Sequence, residues 1–149
     1  MVLHITNYIY NFIMTRINVI SVKELSDQWL LAEYRELPRC IKQNMSIKNA
    51  PKEYCLGKGH MKWARCHIMF LLVRYKEICE EMLYRGFTIN YSYEDLLNWT
   101  YDNVNHDLFC GYIPTLIDMQ INRQRIIERY NRKPNFYKWT KREKPLYLD

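Results

Sequence analysis

The chain has 149 residues, 48% of them hydrophobic and 26% charged, with 4 Gly and 5 Pro. That composition suits one domain with a real core, and it excludes both a disordered chain and a loop-rich all-β design. No apolar run approaches the roughly 18 residues of a membrane span, and the net charge of +6 points toward a polyanionic partner.

Residues 1–13 contain no Lys, Arg, Asp or Glu. They lack the basic start and small-residue cleavage site of a secretion signal, and they are too short to cross a bilayer. The expected organisation is an N-terminal extension, 1–13, ahead of a domain spanning 14–149, in a protein that is intracellular and not secreted.

Ser21 to Gln43 reads as a helix, with Leu25, Trp29, Ala32, Glu36 and Arg39/Cys40 recurring at spacings of three and four. Ser21 with Glu24 predicts a capping box, and Pro38 predicts a kink near Arg35. The stripe begins apolar and turns charged, which is unusual for a purely structural helix. Arg35 and Arg39 share a face, with Glu36 one step round; a surface ion-pair network is the plain reading of that spacing.

Ser46 to Gly59 reads as a loop. Its Gly57-Lys58-Gly59 is better taken as a tight turn into the next helix than as a phosphate cradle. Met61 to Arg85 predicts one long core helix carrying Ala64, Ile68, Leu71, Leu72, Tyr75, Ile78, Cys79, Met82 and Leu83 on its inner stripe, stopped by Gly86. Ser92 to Trp99 predicts a short helix capped by Ser92. Pro114 fits the first position of a last helix, Leu116 to Asn131, with Leu116/Ile117, Gln120/Ile121, Gln124, Ile127 and Tyr130 facing inward.

From Pro114 onward nine basic residues face four acidic ones, so this end carries +5 and the rest of the chain +1. The basic residues alternate with Tyr130, Phe136, Tyr137 and Trp139, a pattern that suits phosphates and stackable bases, although a solvated helix face explains the charge equally well. The five cysteines include no CxxC pair, and the spacing of Cys55, His60, Cys66 and His67 matches no standard zinc module. Buried free thiols in a reducing compartment are expected, with no metal and no cofactor. The fold class that follows is all-α: a single domain of three main helices with loops and an aromatic-basic C-terminal tail.

Met14-Thr15-Arg16-Ile17-Asn18, followed by Glu24-Leu25-Ser26-Asp27-Gln28 and Leu31-Ala32-Glu33-Tyr34-Arg35-Glu36-Leu37-Pro38-Arg39, resembles the N-terminal signature of the pyrimidine-dimer DNA glycosylase family, typified by bacteriophage endonuclease V. The likeness continues in Leu56-Gly57-Lys58-Gly59-His60 and Arg85-Gly86-Phe87. It returns at Gly111-Tyr112-Ile113-Pro114 and at Pro134 with Phe136-Tyr137-Lys138. The resemblance implies a DNA-repair N-glycosylase with abasic-site β-lyase activity, acting as a monomer on duplex DNA that contains cyclobutane pyrimidine dimers or abasic sites. It implies that Thr15 and Glu36 are catalytic, and that Arg16, Arg35, Arg39, Arg125, Arg129 and Lys138 hold DNA. Trp29 stands where the phage protein has a histidine, and Phe136 stands in for a tail tryptophan. The connection from Arg39 to Gly57 is shorter than in the phage protein.

The family's catalytic threonine acts through its free α-amine, and the chemistry accounts for that choice. An α-amine has a pKa near 8, so about a tenth of it is uncharged at neutral pH, against well under roughly a thousandth of a lysine amine. An amide nitrogen cannot do this work, so residues 1–13 bear directly on function. Three readings of them stand: translation starts at Met14, which is the preferred one; the segment is removed by proteolysis; or the chain is a non-catalytic DNA-binding protein of the same fold. A purely structural helical protein is a third class, and it would show no salt-dependent DNA binding.

Overall fold

The computed structural model describes residues 17–149, so Thr15 and Arg16 lie outside the described residues. The described chain is all-helical. Five α-helices carry it: α1 (Asp27–Cys40), α2 (His60–Arg65), α3 (Ile68–Arg85), α4 (Tyr93–Asn103) and α5 (Leu116–Arg132). Of these, α1, α3 and α5 are the long ones. The central helix is α3, with α1 and α4 packed against it.

The helix expected from Ser21 starts later. Ser21 caps only a 3-10 turn, Val22–Glu24, after which Leu25 is extended and Ser26 caps α1 by accepting from the Trp29 amide at 3.2 Å. Long-range donors explain the break. A continuous helix needs the carbonyls of Val22, Lys23 and Glu24 for its own amides. Arg85 takes the first two through Nη2, and the Trp139 indole takes the third at 2.9 Å. The Asp27 amide meanwhile donates to the Lys138 carbonyl at 2.7 Å. Glu24 is no capping-box partner; both its carboxylate oxygens accept from Arg123 of α5. Pro38 falls in the last turn, and α1 ends at Cys40.

The long helix expected over Met61–Arg85 is two helices, and the cause is again specific. A continuous helix would give the Trp63 carbonyl to the His67 amide. The His67 imidazole Nδ1 sits 2.7 Å from that carbonyl instead, while the His67 amide donates to Ala64. The Cys110 carbonyl, arriving from a distant loop, then caps the new helix by accepting from the amides of Met69 (3.1 Å) and Phe70 (3.3 Å). Beyond the break the stripe is as expected, with Ile68, Leu71, Leu72, Tyr75, Ile78, Cys79 and Met82 all buried. Leu83 is the exception, 62% exposed. Gly86 ends α3 in the left-handed region at φ 91°, with the Phe87 amide reaching back to the Met82 carbonyl at 2.9 Å.

Ser92 caps α4 as expected, and the helix runs four residues past Trp99. Pro114 is not the first residue of α5: Thr115 is the cap, and it forms a reciprocal capping box with Asp118. The inner face of α5 also differs from the expectation. Leu116 is 76% exposed and Ile117 is exposed too, whereas Asp118, Asn122 and Ile126 are buried. The polar pair faces inward because it supplies hydrogen bonds there: Asp118 to the Tyr112 hydroxyl at 2.6 Å, and Asn122 to the chain at Val19.

The tail folds back onto the body. Thr140 binds Asp27 through its amide and its hydroxyl, and Arg142 grips both oxygens of Glu81 at 2.8 and 2.9 Å. Tyr137 is buried and Trp139 partly so; of the four aromatic residues expected to stack on bases, only Phe136 is exposed. Much of the tail's aromatic and basic character is therefore structural.

Candidate active site

Residues 17–20 cross the core without regular secondary structure, and side chains rather than a neighbouring strand satisfy their backbone. The Ile17 amide donates to His60 Nε2 (3.2 Å), and its carbonyl accepts from the Tyr54 hydroxyl (2.9 Å). The amides of Val19 and Ile20 share Asn122 Oδ1 at 2.7 and 3.2 Å, and the Ile20 carbonyl accepts from Arg74. The Asn18 side chain bridges Glu33 of α1 and Asn122 of α5, both at 2.8 Å. Arg74 of α3 closes the network with two bonds to Glu33, at 2.8 and 3.0 Å. This segment is thereby tied to four helices, α1, α2, α3 and α5, immediately after Thr15 and Arg16.

Glu36 lies one turn beyond Glu33, on a different outlook. It lines an open cleft of about 440 Å3 with Arg39, Cys40, Ile41, Lys42, Met61 and Arg65. Its side chain is 9% exposed, and Arg39, whose own side chain is 66% exposed, pairs with it at 3.3 Å. The Cys40 thiol donates to the Glu36 carbonyl at 3.3 Å, and Cys40 Sγ meets Met61 Sδ at 3.8 Å, so α2 backs the cleft wall. Arg65 reaches the Cys40 carbonyl at 3.4 Å. One nearly buried carboxylate thus sits among Arg39, Lys42 and Arg65. Arg35 is exposed on the outer side of α1.

The expected DNA-holding residues of α5 occupy one edge of that helix. At about 100° per residue, Arg125, Arg129 and Arg132 fall together and Arg123 on the opposite edge. Arg123 is committed to Glu24 at 2.9 Å, while Arg125 approaches Glu128 only to 4.0 Å. Burial lowers the pKa of Arg129, and the charges of Arg125 and Arg132 lower it further. An arginine stays protonated regardless, so this direction reports burial first and neighbouring like charge second. The Tyr54 phenol is raised first by burial and then by Glu33; Arg74 and Arg125 act the other way. The charge of Arg125 is thus felt at Tyr54, which holds the Ile17 carbonyl. Lys138 is exposed, its amide held by the Gln28 side chain at 3.0 Å.

Trp29 is buried, and its indole hydrogen-bonds the buried Tyr137 hydroxyl. At this position the chain packs and bonds internally, and it offers no surface for stacking on a base. Gly57 and Gly59 take left-handed φ values of 70° and 92°, and a Cβ on Gly59 would meet Pro51 at 2.8 Å; this is the tight turn expected. The thiols depart from expectation. Cys40 and Cys79 are buried and Cys79 is pushed up to about 11 by burial, but Cys66 sits in the helix break and Cys110 is exposed. His60 and His67 both direct Nδ1 at carbonyls, and no three metal-ligating side chains converge among the described residues.

The residues that reasoning from sequence missed are Tyr54, Asn122 and Arg74. Nothing local marks them, because each holds residues 17–20 through contacts more than thirty residues away.

A sequence model of the pyrimidine dimer DNA glycosylase family matches residues 14–95. That stretch covers over half of the chain, and it includes the clamped segment, all of α1 with Glu36, and the cleft wall. The chain belongs to the pyrimidine dimer DNA glycosylase family. Its role is accordingly in DNA repair, on DNA that carries pyrimidine dimers.

Proposed function

We propose that the chain is a bifunctional enzyme, a glycosylase and abasic-site lyase, whose nucleophile is the α-amine of Thr15. The observation that carries this reading is Glu36: a nearly buried carboxylate in an open cleft walled by cations. The family match beginning at Met14 supports it too, since in a chain translated from Met14 removal of that Met leaves Thr15 as the first residue.

The amine lone pair attacks C1′ of the damaged nucleotide, and the C1′–N bond breaks with its electrons leaving on the base. Opening of the sugar ring gives a protonated imine between Thr15 and C1′. Glu36 removes a proton from C2′; that electron pair forms the C2′–C3′ double bond as the C3′–O bond breaks, and the 3′ phosphate leaves with its electrons. Water then hydrolyses the imine and restores the amine. Arg16, Arg35 and Arg39 hold phosphates near the reacting nucleotide, and Arg125, Arg129 and Lys138 hold them further along the duplex. The target bond is stacked inside a duplex, so the nucleotide must be extruded, most easily where a dimer already weakens stacking.

A second reading, a DNA-binding protein without catalysis, is favoured by one feature: thirteen residues precede Met14. While they remain attached, the Thr15 nitrogen is an amide whose lone pair is delocalised into the carbonyl. Two forms of the chain separate the readings, one beginning at Thr15 and one verified by mass spectrometry to retain residues 1–13. Borohydride should trap the first on abasic duplex DNA and leave the second untrapped, while both bind duplex. Trapping of neither would favour the binding protein, and equal trapping of both would overturn Thr15 in favour of a lysine.

A further inference from the structure

The loop before α2 and the first residue of that helix bring two side chains, Tyr54 and His60, to a single residue, Ile17. His60 Nδ1 lies 2.7 Å from the Cys55 carbonyl. A carbonyl only accepts, so this nitrogen carries the proton. His60 Nε2 lies 3.2 Å from the Ile17 amide, which only donates, so this nitrogen presents its lone pair. The two contacts together admit one state of the ring: neutral, with the proton on Nδ1. The Tyr54 hydroxyl holds the other end of the same residue by donating to the Ile17 carbonyl at 2.9 Å. Burial raises the Tyr54 phenol, which keeps that donor protonated.

The ring is also fixed by packing. It is buried, meets Tyr54 edge-on at 5.7 Å and stacks on Trp63 at 6.0 Å. Its chain neighbour Met61 forms part of the cleft that holds Glu36. One junction thus touches both Ile17, which follows Thr15 and Arg16 in the chain, and the wall behind Glu36. A two-residue tether reaches at most about 7 Å, so the clamp on Ile17 sets the range open to the Thr15 amine.

We propose that His60 is a positioning residue for catalysis. As a neutral Nδ1–H imidazole it accepts the Ile17 amide proton and, with Tyr54, fixes the base of the N-terminal arm relative to Glu36. The proposal rests on the reading of Thr15 and Glu36 given above.

Two substitutions divide the ring's contacts. The amide of His60→Gln reaches as far as Nε2 and keeps an acceptor for Ile17. His60→Asn reaches only as far as Nδ1, so it keeps the Cys55 contact and loses the Ile17 one. In the form beginning at Thr15, His60→Gln should retain kcat on an abasic duplex within a few fold. His60→Asn and His60→Leu should lose on the order of 100-fold in kcat with KM unchanged, since a misplacement of about 1 Å can cost that much. If kcat follows urea stability across the three variants, or if Asn rescues as well as Gln, His60 is only a core histidine and the proposal falls.

A second measurement does not depend on activity. Nitrogen NMR of the full chain should show a scalar coupling across the hydrogen bond from the Ile17 nitrogen to an unprotonated His60 Nε2. Absence of that coupling overturns the clamp. A clear coupling in a Thr15 form that borohydride fails to trap would overturn the amine reading, and the catalytic role of His60 with it, while leaving the clamp intact.

Discussion

Glu33 and Glu36 are less than one turn apart on α1, and both are buried, yet their surroundings differ in kind. Glu33 receives Asn18 and two bonds from the buried Arg74, all within 3.0 Å. Its lone pairs are engaged, and its charge is matched by a guanidinium that is also out of water. Glu36 faces a cleft, and the cation beside it is mostly in solvent and 3.3 Å away. A carboxylate engaged on all sides holds a fold together. One that faces a cleft with exposed cations nearby can take a proton from a substrate.

The largest expected effect lies on Glu36. Glu36→Gln should lower nicking of irradiated plasmid by about 100-fold to 10,000-fold, the range for loss of a general base. Its urea midpoint should barely move. Nicking at the wild-type rate would mean that the carboxylate has no part in the reaction. Glu33→Ala should do the reverse of Glu36→Gln on stability: it strands Arg74 inside the protein and should cost about 3–5 kcal/mol in urea unfolding. A small cost there would show that Arg74 finds water, and that the segment at Asn18 is held less tightly than its bonds suggest.

A third carboxylate, Glu81, tests the structural side of the comparison through pH. Burial alone would raise it, but the bonds from Arg142 and Arg85 outweigh burial, so its pKa is lowered from 4.5. A lowered folded-state value means that the stabilisation is complete above the unfolded value of about 4.5 and drains away as pH falls through the folded one. The wild-type urea midpoint should therefore drop on acidification below that point. Glu81→Gln should start lower and show a shallower drop. Parallel acid limbs would assign the drop to other groups.

What the sequence made legible and what it hid divide along the same lines. Periodicity exposed the α3 stripe because burial of Ile68, Leu72, Tyr75 and Cys79 is a property of local spacing. The breaks at Leu25–Ser26 and Cys66–His67 were hidden, because Arg85, Trp139 and the Cys110 carbonyl impose them from far along the chain. The inner face of α5 was misjudged for a related reason. Apolar Leu116 and Ile117 outbid Asp118 and Asn122 in any hydrophobicity pattern, yet the core needs the two polar side chains to satisfy Tyr112 and residues 18–20. Glu36 and the arginines of α1 were singled out by resemblance, since spacing alone favours a surface ion-pair network.

The smallest expected effect compares two arginines on opposite edges of α5. Arg123 is bound by both oxygens of Glu24 and lies over the Tyr147 ring at 5.6 Å, so it serves the packing of the first turn and the tail. Arg125 sits two residues on, on the edge shared with Arg129 and Arg132, and has only a 4.0 Å approach to Glu128. If the basic edge carries the duplex, each phosphate that Arg125 neutralises releases a condensed counterion. Arg125→Ala should then reduce the slope of log affinity against log salt by about 1. The loss should be alike on damaged and undamaged duplex, because a phosphate carries no lesion. Arg123→Ala should leave the slope unchanged and instead lower the melting temperature slightly, as expected for a partly exposed pair worth at most about 1 kcal/mol. Salt titrations of both variants, followed by fluorescence anisotropy on one duplex, decide the matter. A slope change for Arg123→Ala equal to that for Arg125→Ala would mean that charge alone, irrespective of edge, draws DNA to this helix.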